Sequence, residues 1–307
     1  MDFREYLEQL GDGSRRLEVA GLQRLSQLSE EQQQQLSEAW PGIDVRRRQR
    51  LVQELVDLAE DNAELNFDAV FLRGLEDEDA DVRLESLRGL WEHESPLLIG
   101  RLADLLQNDE DPAVRAEAAL ALGRYVLLFE LGRLRERYFR QAEEALRLVL
   151  SAEGETEEVR ARAVEAIGAH DAPWVRQAIQ NAYENGTRRL KASAVHAMGR
   201  SAEPRWLPLL EKELTNDEAE IRYEAATAVG SVGEEESVPH LLALLTDPDE
   251  EVREATALAL GEIGGKVAKH ALGELMDSSS QAMREAAKAA LNRLEFEEDP
   301  LGFKFRS

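Results

Sequence analysis

Apolar residues recur along this chain with a helical period rather than a strand period. In the best-formed stretch, Val252, Ala255, Thr256, Ala259 and Ile263 fall at i, i+3, i+4, i+7 and i+11, one face of a helix. The stretch before it places Leu241, Leu242 and Leu245 in the same way. Short acidic turns separate such stretches, so the chain reads as a succession of helix pairs.

One phrase carries the pattern: Asp247-Pro-Asp-Glu-Glu-Val-Arg-Glu-Ala-Thr-Ala-Leu-Ala-Leu-Gly261. It returns around Ile221-Arg222, Val114-Arg115, Leu190-Lys191 and Val159-Arg160, and more weakly around Val82-Arg83, Met283-Arg284 and Val45-Arg46. The basic residue serves as a ruler. Arg160, Lys191, Arg222, Arg253 and Arg284 are spaced by 31, and Arg83 precedes Arg115 by 32. Such a period fits two helices of about twelve residues with short turns. Arg16 marks a degenerate first copy on this reading.

Each part of the phrase has a physical role. The turn acids at 77–79, 109–111, 217–220 and 247–251 sit where a helix begins, where free N–H groups and the helix dipole favour negative charge. Ala225, Ala226 and Ala228 let neighbouring helices approach closely. Gly199, Gly230 and Gly261 fall near the other end, at stop or kink positions.

Over about residues 10–294 this pattern resembles the HEAT-like repeats of phycobilisome lyases, which also occur in many bacterial proteins. The resemblance implies an all-α fold, a right-handed α-solenoid or superhelix of about eight or nine HEAT-like helix pairs. It also implies that the Val-Arg helices line the concave face and that their arginines ladder with the turn acids. On that basis residues one, two, five and nine after each ladder residue point inward: Arg88, Arg124, Arg162, His196, Arg200, Tyr223 and Glu224. The groove is then expected to be mixed to basic at its centre.

The period breaks once. Arg115 and Arg160 are 45 apart, and the extra chain at 124–150 contains no proline and a single glycine, Gly132. It reads as two lengthened helices forming a hairpin, an enlarged repeat that holds Tyr125, Phe129, Tyr138 and Phe139 beside Arg133, Arg135, Arg137 and Arg140. Aromatic and arginine side chains are enriched at binding hot spots, so Arg133, Arg135, Arg137 and Tyr138 join the candidate contacts. Leu127, Leu128, Leu131, Leu134, Leu146 and Leu148 would instead bury the hairpin in its own repeat. Residues 1–296 are expected to form a single array, with a tail at 297–307.

Charge narrows the partners. The chain carries −25 in all, with −14 over residues 51–123 and −10 over 201–250, against +2 over 124–150. Such a surface repels duplex nucleic acid. No apolar run approaches the roughly 20 residues that span a bilayer, so no membrane contact is expected. The opening MDFREYLEQL is charged from its second residue and there is no cysteine, which together fit a cytoplasmic location.

The histidines at 93, 170, 196, 240 and 270 form no HxxH or HxxxH pair. Deoxyhypusine hydroxylase, a HEAT-repeat enzyme, carries His-Glu pairs after its helix-opening arginines; the matching positions here are Ala116-Glu117, Ala161-Arg162, Tyr223-Glu224 and Glu254-Ala255. No phosphate-binding loop or nucleophile elbow occurs, and no cofactor or metal is expected. The expected function is a non-enzymatic scaffold, adaptor or assembly factor that binds a protein partner through the concave face and the enlarged repeat. The alternative is a lyase- or chaperone-like subunit that handles a chromophore- or cofactor-bearing protein.

Overall fold

In the computed structural model, residues 2–298 are described, and all regular structure among them is helical. The tail expected at 297–307 lies outside them, apart from the two residues that complete the last helix. The helices fall into two compact units, each described by itself: residues 2–125 with 134–149, and residues 126–133 with 150–298.

The first unit opens with α1 (Phe3–Gly11), α2 (Val19–Leu22) and α3 (Glu30–Ala39). It continues through α4 (Val45–Asp61), α5 (Asp68–Gly74), α6 (Ala80–Gly89) and α7 (Leu98–Asn108). It also holds the first part of α8 (Pro112–Glu130) and most of α9 (Glu136–Ser151). The second unit holds α10 (Glu157–Ile167), α11 (Pro173–Asn185), α12 (Arg188–Ser201), α13 (Leu207–Glu213) and α14 (Ala219–Val232). It ends with α15 (Val238–Leu242), α16 (Glu250–Ile263), α17 (Gly265–Leu275) and α18 (Gln281–Glu298).

Helix geometry explains the repeated phrase. The Arg or Lys is the fourth residue of α6, α8, α10, α12, α14, α16 and α18, as Arg83, Arg115, Arg160, Lys191, Arg222, Arg253 and Arg284. The apolar residue before it is the third. Asp79, Thr156, Thr187 and Asp249 cap their helices by accepting from the N–H groups of Val82, Val159, Leu190 and Val252. Those four apolar side chains are buried. Each cap stabilises its helix by about 1 kcal/mol.

The ladder arginines bind in both directions. Arg83 Nη1 donates to the Asp77 carbonyl six residues earlier at 2.8 Å, while its Nε and Nη2 grip Asp109 at 2.7 and 2.8 Å. Arg115 in turn donates to the Asp109 carbonyl at 2.8 Å. Arg222 repeats the arrangement, with Asn216 O at 2.8 Å and Asp247 at 2.7 and 2.8 Å, and Arg253 donates to Asp247 O at 2.7 Å. Each such Asp therefore takes one arginine on its side chain and the next on its backbone.

Two registers differ from the sequence expectation. In α4 the fourth residue is Arg48, not Arg46. Arg46 is exposed, whereas Arg48 is buried, with Nε 2.9 Å from Asp77 and Nη1 donating to Ile43 O at 2.8 Å. The run Arg46-Arg47-Arg48 contains several candidates, and only packing selects among them. Arg16 opens no helix; it lies exposed between α1 and α2. Eight helices with a ladder residue result among the described residues, α4 and the even-numbered helices from α6 to α18.

The glycines also act differently from the stop or kink positions expected. Gly199, Gly230 and Gly261 lie inside α12, α14 and α16, and each helix continues beyond its glycine. In the second unit α10, α12, α14, α16 and α18 stack one on the next. A Cβ on Gly199 would stand 2.8 Å from Ala228 Cα, one on Gly230 2.8 Å from Ala259 Cα, and one on Gly261 2.9 Å from Ala290 Cα. The glycine is where successive backbones touch.

Candidate functional site

The stacked helices of the second unit leave one face open. Along α14 it carries Glu220, Tyr223, Glu224, Thr227 and Ser231, and along α16 Glu251, Glu254, Leu258 and Glu262. Between the two helices lies an open cleft of about 460 Å³ lined by Tyr223, Thr227, Glu251, Glu254, Ala255, Leu258, Ala259 and Glu262. Its floor is alanine, Tyr223 and Leu258 are 38% and 47% exposed, and its rim is carboxylate. Burial raises the Tyr223 phenol pKa, and the charges of Glu224, Glu251 and Glu254 raise it further.

Glu262 is matched by Arg293 at 2.9 Å. Glu251 and Glu254 enter no ion pair among the described residues. An apolar floor beneath two uncompensated carboxylates suits a long cationic side chain, which packs its methylenes below and leaves its charge at the rim.

The candidates from the sequence distribute as follows. Arg162 on α10 is tied to Glu158 at 2.8 Å and to Glu165 at 3.0 Å. His196 on α12 meets Glu224 on α14, Nδ1 to Oε2, at 3.0 Å. Arg200 on α12 is exposed and forms no ion pair among the described residues. These side chains and Tyr223 occupy the open faces of α10, α12 and α14. The face is thus mixed at α12 and acidic from Tyr223 onward, where a mixed-to-basic centre was expected.

Arg88, in the first unit, pairs with Glu85 at 2.5 Å and approaches Glu117 at 3.7 Å. Arg124 lies over the Tyr125 ring at 5.3 Å. In the enlarged repeat, α8 and α9 supply the lengthened helices and 131–135 the turn. Arg133 and Arg135 are exposed in that turn, and Arg137 stacks on Tyr138 at 4.5 Å. Tyr125 and Phe139 are core residues, and the Tyr125 hydroxyl donates to His93 O at 2.9 Å. They are not available to a partner, and Phe129 packs edge-on against His170 with 6.0 Å between ring centres, which leaves Tyr138 beside Arg137.

Glu254, Leu258 and Glu262 were missed by the sequence reading, which took Glu251 as a turn acid. The signal existed: Glu254, Ala255, Leu258 and Glu262 are the first, second, fifth and ninth residues after Arg253, the offsets used for the other repeats.

The HEAT-repeat family model matches residues 69–133 and 207–292. The chain thus carries HEAT repeats over both stretches. No curated protein matches it by sequence. Among solved structures it is similar to the complex of CpcE and CpcF of phycocyanin lyase from Nostoc, at 20% identity over 92% of this chain and 96% of that one, with a TM-score of 0.52. It is also similar to human deoxyhypusine hydroxylase, at 20% identity over 95% and 97%, with a TM-score of 0.37. At 20% identity the likeness to CpcE and CpcF concerns the fold alone. No group of three or more His, Cys, Asp or Glu residues is placed to hold a metal among the described residues. No helix among them is long and apolar enough to cross a membrane.

Proposed function

We propose that this HEAT-repeat protein is a non-enzymatic scaffold or adaptor that binds a protein partner, with the open face of α12, α14 and α16 receiving a basic, amphipathic segment. The cleft in which Tyr223 stands among Glu224, Glu251 and Glu254 carries the reading. Two uncompensated carboxylates over an apolar floor disfavour an acidic or purely apolar occupant and favour lysine or arginine. Arg135 and Arg137, with Tyr138, provide a second contact of opposite sign, suited to an acidic segment. The reading of residues 1–296 as one repeat array belongs to this proposal.

Titration calorimetry with peptides of matched length and differing Lys/Arg content tests it. Binding is expected for the basic amphipathic peptide, with affinity falling as salt rises. Glu251→Gln with Glu254→Gln is expected to weaken it about tenfold, the loss of ~1.4 kcal/mol. Binding that ignores both salt and this double substitution overturns the proposal.

A further inference from the structure

The ladder has a gap at Arg160. Its equivalents Arg83 and Arg222 each hold an aspartate 26 or 25 residues later, Asp109 and Asp247. The residue 25 after Arg160 is Asn185, whose Nδ2 donates to Asn181 Oδ1 at 3.0 Å. Lys191 also meets an asparagine, Asn216, at that offset, but it reaches Glu213 at 2.9 Å instead. Arg253 meets Ser278, but keeps the Asp247 carbonyl and approaches Glu250 at 3.7 Å. Arg160 has neither substitute: its Nε is buried with no hydrogen-bond partner, and the residue forms no ion pair among the described residues.

A cavity of about 200 Å³ lies where the missing carboxylate would be. Arg160, Asn181, Asn185 and Thr187 contribute its polar lining, and Val164 and Leu190 part of the apolar remainder. Thr187 commits its hydroxyl to Glu157. The amide of Asn181 and the Arg160 guanidinium remain as donors. A buried Nε–H without an acceptor is costly, so an anion that supplies two oxygens to this half-buried guanidinium gains here what the aspartates supply elsewhere.

We propose that Arg160 and its cavity form a binding site for a small oxyanion, a carboxylate or a phosphate, that completes the ladder between α10 and α12. The site is separate from the α14–α16 cleft and does not rest on the reading of that cleft. Asn185→Asp places the carboxylate in the chain itself and should close the site.

Thermal unfolding is measured for wild type, Asn185→Asp and Arg160→Gln in inorganic phosphate, in acetate and in chloride at equal ionic strength. Phosphate stabilises many proteins without binding, so the readout is the difference between variants. The wild-type midpoint is expected to rise about 3 °C more than that of Asn185→Asp on passing from chloride to a saturating oxyanion. Asn185→Asp should already melt higher than wild type in chloride. An effect of phosphate alone assigns a phosphate ligand, and an effect of acetate as well assigns a carboxylate. Equal shifts in wild type and Asn185→Asp overturn the site; Arg160→Gln, if folded, must behave as Asn185→Asp does.

Discussion

Gly230 on α14 lies against Ala259 on α16 so closely that a β-carbon on the glycine would stand 2.8 Å from the alanine Cα. The atom in the way is backbone, and no rotamer change relieves it. Replacing a helical glycine by alanine ordinarily stabilises by up to about 1 kcal/mol. Here overpacking outweighs that gain. Gly230→Ala is expected to destabilise by about 2 kcal/mol in urea unfolding, a loss set by overpacking. Gly273, on α17 with nothing near its missing Cβ, is the control. Gly273→Ala should stabilise by about 0.5–1 kcal/mol.

Arg48 and Asp77 are both buried, and the Trp40 indole donates to the same carboxylate at 2.6 Å. Removing one member strands the other without water. Arg48→Ala is expected to cost about 3 kcal/mol, whereas exposed Arg46→Ala should stay within about 0.5 kcal/mol of wild type. Urea titrations of the two variants decide which arginine holds the ladder.

The hydrogen bond from Arg222 holds the Asp247 carboxyl below the usual carboxylate pKa. A carboxyl lowered in the folded state stabilises above its unfolded pKa and loses that contribution as pH falls through the folded value. The stability difference between wild type and Arg222→Gln should therefore be level from about pH 5 to 8, near 2 kcal/mol, and shrink below about pH 4. Urea unfolding at pH 6 and pH 3 measures it. An unchanged difference would place the effect in packing rather than charge.

Trimming 124–150 to the regular period would remove Tyr125, Phe139 and Leu146 from the core, so unfolding and lost binding could not be separated in that deletion. Point changes separate them. Arg135→Glu with Arg137→Glu should shift stability by less than about 0.5 kcal/mol each, while capture of the partner falls. Undiminished capture by the folded double variant would remove the enlarged repeat from the contact surface.

The sequence by itself determined the repeat. Val252 and the capping Asp249 recur because a helix must satisfy its first N–H groups and bury an apolar third residue, and Arg253 because a cation on the fourth reaches back to the carbonyl of the turn before it. Those are local demands, visible in a 31-residue spacing. Only tertiary structure decided the rest. It selected Arg48 over Arg46, because burial depends on which residue meets Asp77 across the repeat. It turned Gly199, Gly230 and Gly261 from expected helix ends into backbone contacts, because a glycine's role depends on what lies opposite its absent Cβ. It drew Tyr125 and Phe139 into the core while leaving Tyr223 among the carboxylates of α16. It also left Arg160 without the acceptor its equivalents possess. The spacing of a repeat fixes which residues are equivalent. Which of them lacks a partner depends on side chains some 25 residues away, brought alongside only by stacking.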